Sequence, residues 1–238
     1  MITALANPQR FMAFSRWAAP LLAGISLLLI AVGLVLSFTA PPDYQQGDTV
    51  RIMFIHVPAA WMSLFAYGCL AGASFFGLVF RHSLADAGAR AAAPLGAAFT
   101  ALALVTGSFW GRPMWGAWWV WDPRLTSELV LLLFYLGYMA LQAAIEDEAK
   151  ADRAAAILAL AGLVNVPIVH FSVTWWNSLH QGESIFRKGG PVMSEVYLWP
   201  LALMGLGYTC LFGALWLVRT RAEVWRRRAR AMALRAAG

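Results

Sequence analysis

Apolar residues in this chain come in long unbroken runs rather than alternating with polar ones. The runs lie near 17–38, 52–80, 91–109, 125–145, 154–174 and 196–218, with most charges in the stretches between them. A helix needs roughly 20 apolar residues to cross the hydrocarbon of a bilayer, and each run meets or approaches that length. The pattern predicts an all-α integral membrane protein of six transmembrane helices. Spans of a β-barrel would be short and alternating, which excludes that class. Little sequence is left over, so 1–238 reads as a single membrane domain without an internal repeat or linker.

Composition agrees: 61% of the residues are hydrophobic, 13% are charged, and the mean hydropathy is +0.63. A net charge of +6 would raise nucleic-acid binding in a soluble protein, but its distribution argues otherwise. Seven of the 18 basic residues (Arg219, Arg221, Arg226, Arg227, Arg228, Arg230 and Arg235) fall in the tail, 219–238. Basic clusters beside a span mark the cytoplasmic side and contact anionic lipid. With six spans the two termini share a side, which also carries Arg10, Arg16, Arg81, Arg90, Lys150 and Arg153. The other side carries Arg51, Arg112, Arg124, Arg187 and Lys188. Both termini are therefore expected in the cytoplasm. The stretches at 39–51, 110–124 and 175–194 then face outward. Met1–Arg16 has no cleavable signal pattern. Cys69 and Cys210 fall inside spans and form no Cys-x-x-Cys or haem-attachment motif, so they read as small hydrophobes. The inner loop 146–153 reads as a solvated helix end.

The outer stretch at 110–124, between the third and fourth spans, is the least ordinary part of the chain. Trp110, Trp115, Trp118, Trp119 and Trp121 fall within twelve residues, punctuated by Gly111, Gly116 and Pro113 and closed by Asp122 and Arg124. An interfacial belt anchors a span with an indole or two at each end. Five in one loop exceed that need and suit a flat, rigid platform for a ligand, since indoles give large contact area at small entropic cost. Asp122-Pro123 reads as a helix cap followed by proline at the first helical position. Glu128 reads as a first-turn complement to the dipole of the same helix, with Arg124 as a candidate partner.

Two histidines approach the same side. Counting roughly 20 residues outward from Arg81 exhausts the hydrocarbon near Trp61, so His56 stands about 7 Å further out. Pro58, two residues on, strains the helix start; position alone suits a ligand and an internally bonded helix-top histidine equally. His180 follows Trp175 and Trp176, with Gly182 allowing a tight turn after it, and favours a ligand over an exposed loop residue. His170, inside the fifth span after Pro167, favours a structural role, with a hydrogen bond to Asn165 or a neighbouring helix. His82 reads as a cytoplasmic loop residue. Two imidazoles and an aromatic plate suit haem, a flat apolar macrocycle whose iron accepts an axial ligand on each face. Arginine forks match its propionates, which makes Arg51, Arg112 and Arg124 candidates. Zinc would want three or four clustered ligands, and no motif supplies them.

The run Trp-Gly-Ala-Trp-Trp-Val-Trp-Asp-Pro-Arg-Leu-Thr-Ser (115–127) closely resembles the Trp-rich signature of the haem-handling proteins of cytochrome c biogenesis. With His-Val-Pro-Ala-Ala-Trp at 56–61 and Trp-Trp-Asn-Ser-Leu-His-Gln-Gly at 175–182, the whole chain resembles the haem exporter protein C family, CcmC. The resemblance implies non-covalent haem b on the outer face of a bacterial inner membrane. It puts the axial ligands at His56 and His180 and the platform at Trp115, Gly116, Trp118, Trp119, Trp121 and Asp122, with Trp61, Trp175 and Trp176 as supporting aromatics. It further implies handover to the haem chaperone CcmE, with CcmA, CcmB and CcmD alongside. The expected activity is binding and transfer rather than catalysis. The chain has no phosphate-binding Gly-x-x-x-x-Gly-Lys-Ser/Thr loop, so ATP hydrolysis would belong to separate subunits. The alternative is a permease, which would show polar midplane residues and interrupted helices.

Overall fold

The computed structural model describes residues 7–180, 182, 185, 189–190 and 193–237. Arg187 and Lys188, counted above on the outer side, lie outside them. Among the described residues, seven α-helices make six spans: α1 (Pro8–Thr39), α2 (Met53–Phe80), α3 (Ser83–Trp115), α4 (Pro123–Ala144), α5 (Glu148–Gly162) with α6 (Asn165–Trp175), and α7 (Glu195–Ala237). A short 3-10 turn, Asp48–Ile52, leads into α2. The protein is a multi-pass membrane protein, as the apolar runs predict. Several helices outrun their apolar cores. α3 absorbs Trp110–Trp115, so the segment expected as a loop over 110–124 is non-helical only from Gly116 to Asp122.

Local chemistry explains where the helices start. The Asn7 carboxamide accepts from Gln9 N–H at 2.8 Å, with Pro8 in the first turn. Asp122 accepts from Arg124 N–H at 2.8 Å ahead of Pro123, the cap expected from the sequence. Asp147 accepts from Ala149 and Lys150 N–H at the start of α5. His82 caps α3 by accepting from Ala85 N–H at 3.2 Å, a more specific role than a loop histidine. Gly116, at φ +76°, ends α3 in the left-handed region that favours glycine.

Helices in lipid gain nothing from hiding apolar surface from one another, so close approach of small residues matters more. α1 packs extensively on α7. There the Ser26 hydroxyl donates to Gly207 O at 2.9 Å, and Gly33 lies against Met204. α2 packs extensively on α3, with Ala59, Ala66 and Ala71 among the core residues that include Ala92, Ala93, Ala97 and Ala103. Tyr67 and Tyr135 are fully buried in the middle of the bundle. Tyr135 donates to Ser63 O at 2.8 Å.

Two sequence expectations need correction. The fifth span is interrupted at Leu163–Val164, where α5 gives way to α6, and Asn165 donates to Ser127 O of α4 at 2.9 Å. Asn165 thus satisfies a carbonyl of α4, while His170 packs edge-on against Phe171 with ring centres 4.6 Å apart. The 146–153 stretch is not a merely solvated helix end. Asp152 is buried, Arg227 reaches Asp152 at 3.0 Å and Glu223 at 2.9 Å, and Arg226 reaches Glu148. Arg90 joins the same cluster from α3. The basic tail is the end of α7, and part of it is pinned to the bundle.

Candidate functional site

His56 lies at the end of the first turn of α2, half-buried rather than standing free at a surface. Its Nδ1 is 2.9 Å from Ala103 O and 3.1 Å from Thr106 Oγ1, both on α3. A carbonyl oxygen only accepts, so Nδ1 carries the proton and the lone pair sits on Nε2. Trp110 packs edge-on against the ring at 5.6 Å and is itself anchored by donating to Gln46 Oε1 at 2.9 Å. Gly107 opens the space the ring occupies, since a Cβ there would meet His56 Cε1 at 2.9 Å.

His180 reaches the same cavity from the segment after α6. Its Nδ1 is buried and lies 3.4 Å from Asp122 Oδ1, too long for a firm hydrogen bond. Trp115 packs edge-on against it at 5.0 Å. Burial pushes the imidazole down to about 4, with Asp122 pulling up and Arg124 pushing further down, so the ring is uncharged at neutral pH. Burial would raise the Asp122 carboxyl, but hydrogen bonds from Ser178, Leu179 N–H and Arg124 N–H hold it below the usual carboxylate range. One aspartate therefore caps α4, ties down Leu179 and faces the His180 imidazole.

His56, His180, Arg124 and Glu128 line one cavity, together with Ala60, Ala103, Leu104, Gly107 and Leu125. Arg124 also donates to Val169 O at 2.9 Å and His170 O at 3.3 Å, clipping α6 to the site. The other two candidate arginines are placed elsewhere. Arg112 donates to Gly116 O at 2.6 Å, closing the end of α3. Arg51 pairs with Asp48 at 3.2 Å and reaches Ala40 O. Glu128 is not the first-turn dipole partner expected from the sequence, because α4 has no acidic residue in its first turn. It is buried at the cavity wall. Its spacing, four residues after Arg124 and on the side that continues into buried Leu131, Tyr135 and Tyr138, was the signal that could have found it.

The indoles do not form one flat plate. Trp119 and Trp121 meet at 82°, and Trp118 meets Phe109 at 84°. Edge-to-face contact is the favoured geometry of neighbouring aromatics, so packing among the rings wins over coplanarity. Trp118, Trp121, Trp175 and Trp176 remain exposed, and Trp119 Nε1 is buried without a hydrogen-bond partner. Trp175 stacks on Phe171, and Trp176 packs edge-on against Trp175. Trp61 lies against Gly205 of α7, where a Cβ would meet its ring at 3.4 Å.

The donor set fits haem. Nδ1 of His56 is taken by a carbonyl and Nδ1 of His180 faces a carboxylate, which leaves Nε2 of each as the nitrogen able to meet an iron. Among the described residues, no three His, Cys, Asp or Glu side chains gather to hold a bare metal ion.

A family model described as "Heme exporter protein C" matches residues 1–235. This chain belongs to the haem exporter protein C family. Relatives carrying that name include one from Bradyrhizobium diazoefficiens, 55% identical over 96% of this chain and 87% of the relative. The Escherichia coli K12 relative is 48% identical over 91% of this chain and 88% of its own length. That of Paracoccus denitrificans is 46% identical over 97% and 96%. Membership of the haem exporter protein C family agrees with the resemblance carried by the three motifs.

Proposed function

We propose that this protein binds one haem b non-covalently between His56 and His180 on the outer face of the bacterial inner membrane, and presents it to a CcmE-like chaperone during cytochrome c maturation. The observation that carries the reading is the convergence of the two histidines, far apart in sequence, on one cavity that Arg124 also lines. Haem, when bound, supplies an iron that takes one imidazole on each face and two propionates that pair with cations. The protein's residues do the rest. Ala103 O and Asp122 orient the imidazoles, and Trp110 and Trp115 brace them at their edges. Arg124 offers its remaining N–H groups to a propionate, whereas Arg51 and Arg112 are already engaged locally and would serve only after rearranging. The exposed indoles Trp118 and Trp121 supply apolar contact for the macrocycle. Binding and transfer need no bond cleavage by the chain. Energised release would draw on separate subunits such as CcmA and CcmB, with CcmD alongside.

Replacing His56 or His180 with Gly should lower the haem retained by purified protein, and added imidazole should restore part of it. A low-spin spectrum unchanged in both variants would refute the assignment.

A second reading, a permease, draws support from the interruption of the fifth span and from Glu128 buried in the fourth. Both are features of transport paths. Steady haem efflux from loaded liposomes containing the purified chain alone would establish it. Transfer of protein-bound haem only to an added acceptor would exclude it in favour of presentation.

A further inference from the structure

Glu128 has no part in holding either histidine, yet it lies on the wall of the cavity between them, one turn beyond Arg124. It is 7% exposed, and its Oε1 is buried with no hydrogen-bond partner. Its neighbours on the same helix, Leu125 and Leu131, are buried apolar residues. A carboxyl stripped of water and left with an open acceptor is costly, and few native buried groups are left so. Helix-dipole complementarity does not account for it, because it lies beyond the first turn of α4. Ser63 of α2 and Arg124 meet the demand only in part, because the Ser63 hydroxyl donates to Ala60 O and Arg124 Nη1 is turned to the carbonyls of Val169 and His170. What remains is an open acceptor on a residue that lines the cavity shared by the two imidazoles.

We propose that Glu128, held as the carboxylate by a positively charged iron core in the same cavity, is a negative charge of the haem site that favours oxidised over reduced iron, an inference that rests on the haem-binding reading above. Two neutral imidazoles add no charge. The iron(III) core of a dianionic porphyrin therefore carries one positive charge, and the iron(II) core none. A carboxylate in the same cavity attracts the first and not the second. That attraction is weakly screened in a desolvated site. Glu128 thus adjusts the charge of the site without being a ligand, and biases the state in which haem is held before handover.

The test compares purified full-length wild type, Glu128→Gln and Glu128→Leu, each loaded with ferric protoporphyrin IX. Their potentials are measured by optical redox titration. Both substitutions remove the charge, and Leu also removes the polar demand, which keeps the test open should Gln fail to accumulate. The preference for ferric over ferrous haem is expected to fall roughly tenfold. For a one-electron couple that is a shift of about 59 mV to more positive potential. The low-spin spectrum should persist, which a merely structural role for Glu128 would not combine with a shifted potential. A wild type showing two-imidazole haem with variants at the same or a lower potential would overturn this inference alone. A wild type that binds no haem in this way would overturn the haem reading and this inference with it.

Discussion

At the scale of single residues, the proposed haem site depends on one nitrogen of each imidazole being available. His56 is fixed by Ala103 O, and His180 is held uncharged by burial despite Asp122 beside it. The latter has a consequence for stability. Folding lowers the His180 pKa from 6.5 to about 4, so between those values the unfolded chain takes up a proton that the folded chain does not. The contribution is full above pH 6.5 and is lost as the pH falls to about 4. It is about 3 kcal/mol at most. Thermal unfolding of haem-free protein in detergent should show a smaller drop from pH 7 to pH 4.5 in His180→Gln than in wild type. Equal drops would place the acid sensitivity in other groups.

At the scale of elements, α3 does more than span. It supplies the carbonyl that orients His56, the glycine that makes room for it and the aromatic edges that brace both rings. Gly107→Ala puts a methyl against the His56 ring and should cut haem affinity about tenfold with little change in helix content, as read by haem titration alongside circular dichroism. The segment between α3 and α4 makes a separate prediction. Trp118 is exposed and packs only its edge on Phe109, so Trp118→Ala should lower haem occupancy while expression and membrane insertion stay near wild type. Lost insertion with unchanged haem per molecule would instead mark an interfacial belt.

At the scale of the whole molecule, the bundle joins a site at one end to an ion-pair cluster that α7 makes with α3 and α5. Arg227 touches Asp152, Glu223 and Glu148, and the first two are largely buried. Removing it leaves carboxylates short of a partner, which costs more than a surface pair would. Arg227→Ala should lower stability by about 3 kcal/mol, read as a reduced unfolding midpoint in detergent. Haem affinity should be nearly unchanged, because none of these residues lines the cavity of His56 and His180. A large loss of affinity would mean that the two ends are coupled.

The sequence by itself determined the number of spans, because twenty apolar residues can do little else in a bilayer. It also determined the cap at Asp122, a local interaction between adjacent residues, and the family, through three motifs that need no coordinates to match. Only the tertiary structure decided which candidates share a cavity. Arg124 lines it, while Arg51 bonds Asp48 and Ala40 O and Arg112 bonds Gly116 O, and spacing along a chain does not show which way a guanidinium points. Pro167 with His170 marked the one candidate irregularity of the fifth span, but hydropathy ran through the break itself, because Asn165 is the single polar residue beside it and its partner, Ser127 O, belongs to another helix. Glu128 looked like a helix-end charge until packing put it inside the bundle. Its acceptor is open, and the partners that would have closed it belong to other helices.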